Sequence, residues 1–221
     1  LTPYDILRLK THLGLSAAEF LSRWTTCRTG PATGLPVISL RPGPGSDRPC
    51  PFVGAEGCEV YPARPSSCRA YPLVRLLRRC RLTGACRETF ALMQEDHCQG
   101  FEAGPLCTPR EWVASQGLVK YNEFNDLMMD IVVLRPPGSA PLDGPRQQAL
   151  RTALYDLEGW RRYLQTYGVP EALQASSGLV LPPCENEDLL RLGLGWAVLL
   201  LQGAPGAATA PQRSDTSGDR P

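Results

Sequence analysis

The 221-residue chain predicts an α+β fold, mainly helical, in which helices bracket a small cysteine-rich segment of β-hairpin and loop. Three observations carry that prediction: helix-start patterns at both ends, a Gly/Pro-rich middle with short β-prone runs, and apolar residues at helical spacing after residue 108. Hydrophobic residues make up 43% of the chain, enough for a real core, and 23 Lys+Arg balance 22 Asp+Glu. That near-neutral charge argues against a nucleic-acid partner, which calls for a large basic excess. Lys10 and Lys120 are the only lysines, an arginine bias that reads most simply as coding composition.

Thr2, Pro3 and Asp5 form a helix start of cap, first-turn proline and acid, followed by Ile6, Leu7, Leu9 and Leu13 on one face and closed by Gly14. Ser16 and Glu19 form a capping box that opens a second helix through Phe20, Leu21 and Trp24. Pro36–Leu40 reads as a strand, 43–47 as a turn, and Cys50–Val53 as the returning strand. Cys58–Tyr61 is a further extended piece, a short helix carrying Cys68 begins at Arg64-Pro65, and Leu73–Leu82 reads as a helix with a basic face.

Thr108, Pro109 and Glu111 repeat the helix start, with Trp112 and Val113 inside and Gly117 at the end. Leu118–Leu134 is a further helix, stopped by Pro136-Pro137-Gly138, and Pro145–Tyr167 is the longest amphipathic one, closed by Gly168. The apolar run Leu189–Leu201 is interrupted by Arg191 and too short to span a bilayer, so no membrane span is expected. Gly193 and Gly195 within it read as packing features. The Gly/Ala/Pro/Ser-rich end is expected to be disordered. Three parts follow: residues 1–134 around the cysteines, a helical extension over 135–202, and a tail over 203–221.

Nine cysteines lie at 27, 50, 58, 68, 80, 86, 98, 107 and 184, and none forms a C-x-x-C pair. Zinc ribbons, zinc fingers and thioredoxin-type sites are therefore disfavoured. Spacing alone leaves three readings open: metal ligation in the core-poor middle, a disulfide framework, and scattered inert thiols. Cys27 and Cys184 fit the last. Cys80, Cys86 and Cys107 stay unassigned.

The run Cys50-Pro51-Phe52-Val53, then Cys58-Glu59-Val60-Tyr61, then Arg64-Pro65, Cys68-Arg69 and Tyr71-Pro72 resembles the YkgJ-type cysteine-cluster family. That family's pattern reads C-P-F-L, then C-x-I-Y-x-x-R-P-x-x-C-R-x-[FY]-P. Downstream, Cys98-Gln99-Gly100 and the Thr108–Gly117 run are similar to its C-x-G and T-x-x-E-W-x-x-x-Q-G elements. The resemblance spans about residues 1–130. It implies a zinc- or iron-chelating domain, with a zinc ion or an iron–sulfur cluster held on Cys50, Cys58, Cys68 and Cys98. Family members carry a C-x-x-C-x-x-C-C cluster just before a helix of the type that opens here at Leu1. Half of the implied thiols therefore do not occur in this chain, and the expectation is a truncated chain.

Four thiolates would leave a net negative site, and Arg64, Arg69, Arg75, Arg78, Arg79, Arg81 and Arg87 lie near Cys68 in sequence. Arg64 and Arg69 belong to the matched motif and are the candidates for supporting the cluster or capturing an anion. The others read equally well as a solvated basic face. Tyr61 and Tyr71 fit a role shielding the cluster from water and equally an ordinary core role; His97 is a candidate ligand, though an exposed loop histidine is commoner. The sulfurs are expected to converge, about 3.8 Å apart around a tetrahedral zinc, in an imperfect cage whose vacant side faces the helix starting at Thr2.

Two functions follow. The first is a cytoplasmic metal-binding protein, structural or redox-active, with a protein partner of unknown identity. The second, implied by the family's inclusion of flagellin lysine N-methylase, is methyl transfer from S-adenosylmethionine. No G-x-G-x-x-G, catalytic triad or paired-carboxylate pattern supports an enzyme independently.

Overall fold

The computed structural model describes residues 1–43, 50–79, 83, 85–96, 98, 100, 106–178 and 183–203. The fold is α+β and mainly helical, with three small antiparallel hairpins among the described residues. Helices α1 (Pro3–His12) and α2 (Ala17–Trp24) come first. Strands β1 (Thr25–Thr29) and β2 (Pro36–Leu40) pair, as do β3 (Val53–Gly54) and β4 (Gly57–Cys58). A 3-10 turn over Tyr61–Ala63 leads into α3 (Ser66–Ala70), followed by the ribbon of β5 (Leu73–Arg79) and β6 (Cys86–Leu92). Helices α4 (Pro109–Ser115), α5 (Val119–Val133), α6 (Gly144–Tyr155), α7 (Leu157–Tyr167), α8 (Glu171–Ser177) and α9 (Asn186–Gln202) complete the order.

The local signals hold. Thr2, Ser16 and Thr108 each accept from the backbone N–H three residues on, while Asp5, Glu19 and Glu111 return the bond, giving complete capping boxes. Long-range pairing overturns three expectations. β2 pairs with β1, which continues directly from α2, in the register Thr25↔Leu40 to Thr29↔Pro36. The Cys50–Val53 run forms no returning strand: Pro51 lacks a donor, and only Val53 joins the two-residue ladder with Gly57–Cys58. Leu73–Arg79 is a strand rather than a helix, because residues 86–92 supply a full partner for it.

The expected helix over 145–167 is two. Asp156 leaves helical geometry (φ −111°, ψ 76°) and caps α7 by accepting from the Gly159 N–H at 3.0 Å. The turn expected over 43–47 and the expected disordered tail lie almost wholly outside the described residues. Among the described residues, no helix is long and apolar enough to cross a membrane.

One buried cluster joins α1, α2, β2, α5, α6, α7 and α9, and so runs across position 134. Tyr4 stacks on Phe124 at 4.4 Å and meets Tyr121 edge-on, tying α1 to α5. Trp160 of α7 lies 5.1 Å from Trp196 of α9. Lys10, only 5% exposed, donates to Glu158 at 2.6 Å, and the Ala17 N–H donates to the same carboxylate.

Burial opposes ionisation of Glu158, yet these bonds hold its pKa below the usual glutamate range. A lowered folded-state pKa contributes stability above the unfolded value and loses it as pH falls through the folded one. Glu158→Gln is therefore expected to lower the melting temperature at pH 7 and to change it little at pH 3. Equal shifts at both pH values in thermal scans would contradict the pairing.

Candidate metal centre

The segment from Cys50 to Tyr71 contributes little apolar core: Phe52, Val60, Ala63 and Pro65 are its buried apolar side chains. Phe52 anchors it by packing on Trp24, with ring centroids 4.8 Å apart. Cys50 is half-buried in a bend, Cys58 ends β4 and is exposed, and Cys68 sits in the middle of α3. Cys50 and Cys58, from two other pieces of chain, both lie within electrostatic reach of Cys68. Burial pushes the Cys68 thiol pKa up, and the neighbouring Cys50, Cys58 and Asp5 push it further, against a lowering hydrogen bond with Ser67.

Asp5 connects this patch to the start of α1. Only 2% exposed, it accepts from the Thr2 N–H at 2.8 Å and from the Ser66 N–H at 2.7 Å. Ser66 Oγ lies 3.3 Å from the same carboxylate. The helix carrying Cys68 is thus tied to the N-terminal turn of α1.

Cys98 stands in a different setting. Its backbone N–H donates to the Glu95 carbonyl at 2.9 Å, and its side chain neighbours the Tyr71 hydroxyl. Interaction with Cys98, then burial and Glu95, push the Tyr71 pKa up. His97 and Cys80 lie outside the described residues. Cys27 is exposed on β1, close to the buried Tyr155. Cys184 is exposed, and its carbonyl accepts from Arg161 at 3.0 Å.

Arg64 and Arg69 face the protein rather than a sulfur. Arg69 donates to the Arg64 carbonyl at 3.0 Å, to the Gln116 carbonyl at 2.9 Å and to the Pro62 carbonyl, with its guanidinium 4.9 Å from the Tyr121 ring centre. Arg64 donates to the Gln116 side chain and lies 4.0 Å from the Tyr61 ring centre; its Nε stays buried without a partner among the described residues. Trp112 Nε1 donates to the Ala70 carbonyl at 3.0 Å. Gly117 closes α4 at φ +62°, a conformation glycine adopts without strain, which leaves the Gln116 carbonyl turned to Arg69.

The two separated sequence motifs, R-P-x-x-C-R and E-W-x-x-x-Q-G, therefore lock onto each other. Sequence reasoning assigned no role to Gln116 and took Asp5 only as a helix-start acid. The signal for Gln116 was its place in the second motif.

Thiolates are the donor type that zinc and iron–sulfur clusters take, and the effect of Cys50 and Cys58 on Cys68 is the kind a cation relieves. In that chemical sense the residues fit a metal. Among the described residues, however, no group of three or more Cys, His, Asp or Glu side chains is placed to enclose a metal ion. No disulfide joins the described cysteines.

Residues 1–99 match the family model CxxCxxCC, described as "putative zinc- or iron-chelating domain". No curated protein and no solved structure matches the chain.

Proposed function

We propose that this chain, whose residues 1–99 belong to the CxxCxxCC cysteine-cluster family, binds a zinc ion or an iron–sulfur cluster through Cys50, Cys58 and Cys68, with Cys98 as the fourth sulfur. The observation that carries this reading is the approach of Cys50 and Cys58 to Cys68 on a segment with only four buried apolar side chains of its own. In such a segment the free energy of metal binding is folding free energy, so the role is structural first. Arg64 and Arg69 support the cluster by holding the loop from Cys58 to Cys68 against α4 and α5. Free thiols persist in a reducing compartment, which supports a cytoplasmic location as part of this reading.

Metal analysis after anaerobic purification tests the proposal. Zinc or iron is expected in the parent protein, and a visible charge-transfer band distinguishes iron–sulfur from zinc. Cys68→Ser is expected to lose most of the metal and to melt at a lower temperature, whereas Cys184→Ser keeps both values. Equal metal content and melting temperature in Cys68→Ser and parent would refute the assignment.

A further inference from the structure

The β5–β6 ribbon has two chemically different faces. Strand alternation puts Leu73, Arg75, Leu77 and Arg79 on one of them, opposite Leu92, Phe90, Glu88 and Cys86. This face closes on α5: Arg75 grips Asp126 with two nitrogens, one at 2.9 Å, and Arg79 pairs with Asp130. On the other face Arg78 stands directly opposite Arg87, with Leu76 opposite Thr89 and Val74 opposite Ala91. Arg78 and Arg87 are both exposed, Leu76 is 50% exposed, and among the described residues no carboxylate pairs with either arginine.

Like charges directly opposite in an antiparallel pair destabilise it. A two-stranded ribbon is itself marginal, and its open edges are templates for a further strand. All of these features are relieved by one kind of occupant, an extended chain that brings negative charge and an aliphatic side chain.

We infer that the outward face of the β5–β6 ribbon is a docking surface for an acidic, extended segment of a partner protein, held by Arg78 and Arg87 with Leu76 as its apolar contact. Charge complementarity selects the acidic segment. A nucleic acid is the weaker match, because two arginines interleaved with aliphatic residues in a chain of net charge +1 do not make a phosphate-tracking basic field.

Fluorescence anisotropy tests the inference on the full chain with a labelled heptapeptide carrying glutamate at positions 1, 3 and 7, valine at position 5 and serine between, so that charge and aliphatic side chain share one face of the extended peptide. The parent protein is expected to bind it saturably, with affinity falling as salt rises. The double variant Arg78→Glu/Arg87→Glu should weaken binding about tenfold or more, roughly 1.4 kcal/mol. Arg78→Gln alone should weaken it less, and Arg146→Glu, a charge reversal on α6, should leave it unchanged. Melting temperatures close to the parent's are expected for the two glutamate variants, the double one keeping two like charges opposite each other. A small rise is expected for Arg78→Gln, which removes one of the opposed charges. The inference is overturned by absence of saturable binding to the parent, by equal binding to the double variant, or by tighter binding of a single-stranded oligonucleotide of equal charge.

Discussion

Gly193→Ala is expected to lower the unfolding free energy by about 3 kcal/mol, near the upper end for overpacking. Helix propensity alone predicts the opposite sign, a gain of about 1 kcal/mol for alanine over glycine. Packing decides the matter. A Cβ at Gly193 would lie 2.2 Å from the Ala153 carbonyl oxygen and 3.1 Å from its carbon, both backbone atoms of α6. Relieving that contact means separating α6 from α9, and Trp160 and Trp196 pack across the same junction. Gly195→Ala is the matched control. There the nearest atom is Leu173 Cδ2 at 3.3 Å, the end of a flexible side chain, and the expected change is small. Urea denaturation of both variants reads the difference; equal stabilities would mean that α6 and α9 are not packed this closely.

Asp5→Ala is expected to cost about 3 kcal/mol and to reduce metal retention together with stability. Deleting the carboxylate leaves the Thr2 and Ser66 N–H groups without their acceptor, at about 1–3 kcal/mol for each group that stays away from water. It also ends the capping box of α1 and frees α3, the helix that carries Cys68, from α1. Asp5→Asn keeps one side-chain oxygen and should recover part of both losses. If Asp5→Ala retains full metal and full stability, the link between α1 and the thiol patch has no energetic weight.

What the sequence disclosed and what it withheld divide by range. The caps at Thr2, Ser16 and Thr108 were legible because each is settled within four residues by local hydrogen bonds. The Leu/Arg run over 73–79 suits either a helix face or a strand, and the decision lies with residues 86–92, beyond any local window. Thr25–Thr29 went unread as a strand for the same reason: its partner begins after a turn at Gly34. The break at Asp156 was in principle visible as a capping acid before Gly159, but the apolar spacing runs straight through it.

In the candidate site the cysteines were singled out by the motif around them, since their spacing alone left metal, disulfide and inert readings open. The bolt of Arg69 on the Gln116 carbonyl and the tie of Asp5 to Ser66 were not. Each joins groups 47 and 61 residues apart, and no periodicity reports such a contact.

The central claim is that sulfur from Cys50, Cys58 and Cys68 binds metal. X-ray absorption at the metal edge of the purified protein tests it most directly. The account predicts a first shell dominated by sulfur, at about 2.3 Å if the metal is zinc, and its loss with the metal in the triple variant Cys50→Ser/Cys58→Ser/Cys68→Ser. A first shell of nitrogen and oxygen near 2.0–2.1 Å, or a sulfur shell that survives in the triple variant, would contradict it.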